Sequence, residues 1–245
     1  KAIRRQRQMC IRDRSIEGFQ KALEYWQLFL QGVVCTVSLS GLTVVLGFIL
    51  ALVIAVCRMG RSRILRAVST AYVELFRATP MVVQVFIIYY VLFDGIKVLP
   101  GFKLFGFIRF DRFFPAVVAL ALNSGAYLSE IIRSGIQSID GGQTEAARSL
   151  GLSAWKTMRF IVLPQAIKNI LPAIANEFVT IIKESAICYT IGVQDIMSAV
   201  NAVKGATYRM GEALIVATAL YFCLTFPTSK IIAHFERKMS RGDRR

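Results

Sequence analysis

Apolar residues in this chain gather into long runs, and polar residues sit between the runs or as isolated islands inside them. That pattern has neither the strict alternation of a half-buried strand nor the narrow stripe of a soluble surface helix. A helix crossing the roughly 30 Å hydrocarbon layer of a bilayer needs about 20 mostly apolar residues. Stretches of that length occupy about 29–57, 65–93, 114–132, 170–191 and 213–235. The first carries no charge, the second contains Glu74, Arg77 and Pro80, and the fourth contains Glu177, Lys183 and Glu184. The pattern predicts an all-α membrane protein with about five transmembrane helices, forming one domain over residues 16–245.

The connections set a direction of insertion, because Lys and Arg concentrate in cytoplasmic loops. Arg58, Arg61, Arg63 and Arg66 follow the first run, and Arg133, Arg148, Lys156, Arg159 and Lys168 lie between the third and fourth. Arg237, Lys238, Arg241, Arg244 and Arg245 follow the fifth. With five spans these three regions share one side, which places the N-terminus outside and the C-terminus inside. The opposite loop also carries Lys97, Lys103, Arg109 and Arg112, which reduces the contrast.

Composition sharpens this reading. The chain is 55% hydrophobic with mean hydropathy +0.54 and formal net charge +15. A basic balance can mark nucleic-acid binding, but here the charges flank apolar runs and follow no polar face, so no nucleic-acid partner is expected. Cys10, Cys35, Cys57, Cys188 and Cys223 form no Cys-x-x-Cys pair and read as small hydrophobes. With His234 as the single histidine, no metal site or His-based catalytic constellation can be assembled.

Residues 1–15 differ from the rest. They hold Lys1, Arg4, Arg5, Arg7, Arg12 and Arg14 and lack the apolar stretch that a signal peptide requires. The run from Gln8 to Ser15 resembles translated sequencing-adapter read-through, so this segment reads as non-native.

Two further patterns concern packing. Gly47, Ala51 and Ala55 stand four apart in the first run, as do Ala121, Gly125 and Ser129 in the third. Small residues at that spacing let helix backbones approach closely in lipid. The connection at about 137–164 is too long for a plain turn and too regular for disorder. Asp140-Gly141-Gly142-Gln143 has the Asp-x-x-Gln form of a capping box. Glu145, Ala146, Ala147, Arg148, Ser149 and Leu150 then suit a short helix, and Gly151 suits the left-handed residue that ends one. Ser153 caps a second short helix through Trp155 and Phe160, expected to stop before Leu163-Pro164. The prediction is a cytoplasmic helix–glycine–helix elbow.

Glu145-Ala146-Ala147, Gly151 and Leu163-Pro164 at these spacings resemble the EAA loop of ABC-importer permeases. Three more segments resemble the polar amino-acid branch of that family. They are Glu74-Leu75-Phe76-Arg77-Ala78-Thr79-Pro80, with Ala78 where the family has glycine; Ala126 to Ile136, similar to A-Y-x-x-E-x-x-R-x-G-I; and Lys183-Glu184-Ser185. The resemblance spans about 19–235 and implies a type I, MetI-like permease architecture with a cytoplasmic coupling helix. It also implies the partners: two ATP-binding cassette ATPase subunits, a periplasmic or lipid-anchored solute-binding protein, and a second permease copy or paralogue in the lipid bilayer. Glu145, Ala146, Ala147, Gly151 and Pro164 would then couple to the ATPase. Two alanines leave a low ridge that fits a groove, and the glycine permits the turn.

The chain has no G-x-x-x-x-G-K-[ST] phosphate loop, so ATP would be bound by the partner subunit, with no cofactor in this chain and no enzyme activity of its own. Ionisable groups inside spans are costly and face a cavity or a partner. Glu74 and Arg77, three apart, form an intrahelical pair or a gate; Thr79 and Asn176 join them as candidates for the path. Lys183 and Glu184 are adjacent and point different ways, which favours roles at a dimer axis or pathway together with Ser185. Glu130 and Arg133 read as an interfacial pair. Asn123 either bonds between helices or lines the path. A channel would need no elbow, and a membrane-embedded enzyme would need a histidine or paired acids. The remaining alternative is an importer permease for an opine or a sulfur compound.

Overall fold

The computed structural model describes residues 18–94 and 99–240. The segment 1–15 set apart above falls outside them. The described residues are almost wholly helical. Helix α1 (Trp26–Met59) is the first span, and α4 (Phe110–Gln137) and α9 (Met210–Ser240) are the other two long apolar helices. Two bent helix pairs are candidates for further, broken spans, so the described residues hold three continuous candidate spans, or up to five with each bent pair taken as one.

The second span departs from the single helix expected over 65–93. It consists of α2 (Arg63–Ala78) and α3 (Met81–Phe86), the latter widening into a π-helical stretch (Ile87–Asp94), and the two halves meet at 110°. Pro80 is the cause. It has no N–H to donate and it drives the preceding residue out of the helical region; Thr79 accordingly sits at φ −110° and ψ 145°.

The fourth span also differs. The short helix expected to stop before Leu163-Pro164 does not stop. Helix α6 (Ala154–Thr157) passes through a π-helical turn (Met158–Val162) into α7 (Leu163–Glu184) and a 3₁₀ segment (Ser185–Ile191). A π-turn lets the ring of Pro164 in without a clash and absorbs its missing N–H. After Ile191 the chain turns by 46° into α8 (Ile196–Thr207). Gly192 makes that turn at φ +83°, and Asp195 caps α8 by accepting a bond from the Ser198 amide at 2.8 Å.

Helices α1 and α4 form the centre, and the small-residue faces read from the sequence are what join them. A Cβ on Gly47 would stand 3.2 Å from Ser124, and one on Gly125 would stand 2.9 Å from Leu50. Ala51, Ala55, Ala121 and Ser129 are all buried along the same seam. Around it, one apolar cluster joins Leu39, Val85, Ile108, Phe113 and Leu120, and another joins Leu128 and Ile132 to Ala166 and Ile170 of α7. A two-stranded hairpin, β1 (Lys103–Leu104) with β2 (Ile108–Arg109), links the second and third spans. Cys35 and Cys188 are buried as expected of small hydrophobes, whereas Cys223 is exposed on α9.

Candidate functional site

The elbow forms from local signals alone. Asp140 ends the approach from α4 and caps α5 (Gly141–Ser149), its carboxylate accepting from the Gly142 amide at 2.8 Å. Gly151 takes φ +84°. The Gly151 amide donates to the Arg148 carbonyl at 3.0 Å and the Leu152 amide donates to Ala147 at 3.1 Å. This pair of bonds is the Schellman termination of a helix. Ser153 then accepts from the Lys156 amide at 3.3 Å and starts α6.

What the elbow presents is apolar. Ala147 is buried, while Glu145 and Ala146 are exposed. Leu150 is 84% exposed, Trp155 70% and Phe160 62%. Arg148, Lys156 and Arg159 stand among them, with the Arg159 guanidinium 5.7 Å from the centre of the Phe160 ring. Large side chains standing in water beside cations form a surface suited to a protein partner with an apolar groove and acidic rim.

The second candidate group lies at the break in the second span. Glu74 and Arg77 do not pair. Glu74 is exposed, and Arg77 instead lies over the ring of Tyr127 at 5.4 Å. Thr79 donates to the Leu75 carbonyl at 2.8 Å. The break strips carbonyls of their helical partners, and in lipid such groups must be satisfied within the protein. Gln84 does this. Its amide nitrogen reaches the Phe76 carbonyl at 2.8 Å, the Thr79 carbonyl at 3.0 Å and the Thr79 hydroxyl at 2.8 Å. Asn123 of α4 donates to the Gln84 side-chain oxygen at 2.9 Å and to Phe76 at 3.3 Å. Tyr72 adds a bond to the Leu122 carbonyl at 2.5 Å. Of the two roles open to Asn123, bonding between helices is the one observed. Gln84 escaped sequence reasoning; its signal was an amide four residues past a proline inside an apolar run.

The third group lies on α7. Asn176 and Lys183 are exposed and Glu184 is half-buried. Ser185 is fully buried, its hydroxyl bonded to the Ile182 carbonyl at 2.8 Å, so it closes the helix and does not face open space. Glu177, absent from the sequence-derived site, is half-buried, faces Ser124 of α4 and lies within electrostatic reach of Glu184. Seven residues apart, these two carboxylates share one helix face. Neither makes an ion pair among the described residues. Pro164 sits in the first turn of α7, at the root of the elbow.

A helical membrane protein with a broken span, acids along one span and a detached glycine-hinged elbow belongs to the transport permeases. Residues 43–241 match the family described as binding-protein-dependent transport system inner membrane component, and the chain belongs to that family. It is 40% identical over 225 residues to the arginine transport system permease protein ArtQ of Bacillus subtilis (strain 168), covering 92% of this chain and 98% of that one. It is 38% identical to the nopaline transport system permease protein NocM of Agrobacterium fabrum (strain C58 / ATCC 33970), covering 87% and 88%. Among solved structures, an amino acid ABC transporter crystallised with histidines matches with TM-score 0.82 and 40% identity over 90% of this chain and 98% of that one. An inward-facing MetNI methionine ABC transporter matches at TM-score 0.61 and 18% identity, over 85% of this chain and 96% of that one, a likeness of fold.

Proposed function

We propose that this chain is the membrane-spanning subunit of an ATP-binding-cassette importer that moves a polar amino acid. An external solute-binding protein delivers the substrate, separate ATPase subunits supply the energy, and a second permease copy or paralogue completes the membrane part. The observation that carries the reading is the elbow, with Leu150, Trp155 and Phe160 exposed around a hinge at Gly151. The named relatives support it, since they are permeases for arginine and nopaline. In this reading Glu145, Ala146, Ala147, Gly151 and Pro164 transmit the ATPase stroke. The test is co-purification with the ATPase subunit, followed by uptake of labelled amino acids into vesicles. Leu150→Ala with Trp155→Ala abolishes capture of the ATPase while the permease still inserts; unchanged capture would remove the elbow from the mechanism.

Glu177 and Glu184 favour a cationic substrate. Two carboxylates on one face of a span, neither of them in an ion pair among the described residues, attract a guanidinium or ammonium group and repel an acidic one. Competition for uptake among arginine, glutamine and glutamate decides this, with arginine expected to compete best. The arginine-rich loops after the first and third spans support a C-terminus in the cytoplasm of a bacterial cell and an N-terminus outside. Ser62→Cys and Ser240→Cys are then both shielded from a membrane-impermeant thiol reagent, and labelling of either from outside contradicts that orientation.

A further inference from the structure

The inner ends of two spans, α1 and α4, meet at one carboxylate that the transport reading leaves without a role. Glu130 of α4 accepts from Arg58 of α1 at 2.5 Å through one oxygen. The same oxygen accepts from Nε of Arg133 at 3.2 Å, and the second oxygen accepts from Nη2 of Arg133. Arg133 continues the chain by donating to the Gln137 side chain at 2.7 Å. Gln137 is the last residue of α4, and Arg58 lies in the last turn of α1. The three charged side chains are partly buried. A sheltered, doubly charge-assisted arrangement holds its geometry better than an exposed surface pair.

The neighbourhood gives this contact its meaning. Three residues beyond Gln137 the chain enters the elbow at Asp140. On its other side, Ser138 accepts a bond from Asn169 of α7 at 3.1 Å. Gly135 packs so closely on Ile170 that any Cβ there would collide with it. Both legs of the elbow are thus held together, and Glu130 adds α1 through the bond from Arg58. Ala51, Ala55, Leu128, Ile132, Ala166 and Ile170 pack tightly beside it. Apolar faces in lipid gain little from hydrophobic burial and can slide; a fixed ion pair sets the register.

We propose that Glu130 is a positioning residue that clamps the inner end of α1 to the leg of α4 carrying the elbow, so that α1, α4 and the elbow move as one body. The proposal rests on the coupling role given to the elbow above and adds which span travels with it. Removing the charge of Glu130 leaves the partly buried Arg58 without its partner and frees α1 to lag behind α4 during each stroke.

The test uses the reconstituted complex with its ATPase subunits, with spin labels at Met59→Cys and Ser134→Cys in a background free of native cysteines. In the otherwise unaltered protein the interlabel distance is the same in the nucleotide-free and ATP-bound states. Glu130→Gln makes it broaden and depend on nucleotide, and lowers uptake per ATP hydrolysed roughly tenfold, as expected for loss of a charge-assisted bond. Arg58→Gln, which leaves Glu130 paired with Arg133, reproduces both effects, so a folding defect in the first variant does not stall the test. A distance that changes with nucleotide in the unaltered protein, or unaltered uptake per ATP in both variants, overturns the clamp. Failure of the coupling role itself would look different: elbow variants would still capture the ATPase and drive uptake.

Discussion

The elbow and the break in the second span both interrupt a helix near a proline or glycine, but they are built in opposite ways. At the elbow every bond that ends or starts a helix comes from within a few residues: Asp140 to Gly142, Gly151 to Arg148, Ser153 to Lys156. The freed groups that remain face water. At Thr79-Pro80 the freed carbonyls of Phe76 and Thr79 are partly buried, and they are satisfied by Gln84 and, from another span, Asn123. Water lets a turn be written locally, whereas a membrane interior requires a turn to recruit partners from elsewhere in the fold.

That contrast can be broken experimentally. The largest effect is expected at the hinge. Gly151→Val places a β-branched residue at φ +84°, where even an unbranched side chain costs about 1–2 kcal/mol. No atom lies within 4 Å of the position a Cβ would take, so the strain is in the backbone alone. Substrate-stimulated ATP hydrolysis and uptake are lost, while thermal unfolding of the detergent-solubilised permease stays close to that of the original chain. A variant with full uptake would show that the hinge angle does not matter.

Gln84→Leu tests the other side of the comparison. It strands the Thr79 carbonyl, leaves Phe76 with Asn123 alone, and costs about 1–3 kcal/mol for an unsatisfied buried group. Here the unfolding temperature falls, and uptake falls with it. Asn123→Leu has a smaller effect, and the two together are less than additive because they share one network. Strict additivity would mean that the seam is two independent contacts.

Asp140→Ala removes a cap worth about 0.5–2 kcal/mol to its own helix. The loss stays local: hydrogen exchange quickens over residues 141–149 and not over α4. Quickening along α4 would mean that elbow and span are one cooperative unit. The smallest effect is expected from deleting residues 1–15, which leaves insertion and uptake unchanged; a loss of uptake with normal expression would restore that segment to the working protein.

How much was legible follows the same division. The elbow was readable residue by residue, because caps and a left-handed glycine are short-range signals. The stop before Pro164 was misread because a π-turn can carry a helix past a proline at no cost that the sequence displays, and Asp140 caps through Gly142 where the Asp-x-x-Gln form pointed to Gln143. The small-residue seam between α1 and α4 was also readable, since spacing by four marks a face wherever it packs. Gln84, Glu177 and Arg58 were not. Each looks like an ordinary polar residue in or beside an apolar run until a partner 39, 53 or 72 positions away is brought alongside it.

The amino-acid sequence by itself determined that the chain enters a membrane, about how many times it crosses, and where its elbow falls. These depend on apolar run length, proline and glycine, which act through neighbours in the chain. Only the tertiary structure decided that Arg77 lies on Tyr127 and leaves Glu74 unpaired, that Asn123 bonds to Gln84, and that Glu130 holds α1 as well as its own helix. The physical reason is the solvent. Lipid offers a polar group no partner, so each buried donor or acceptor takes whichever group the packing of spans brings within reach, and that choice belongs to the assembled bundle.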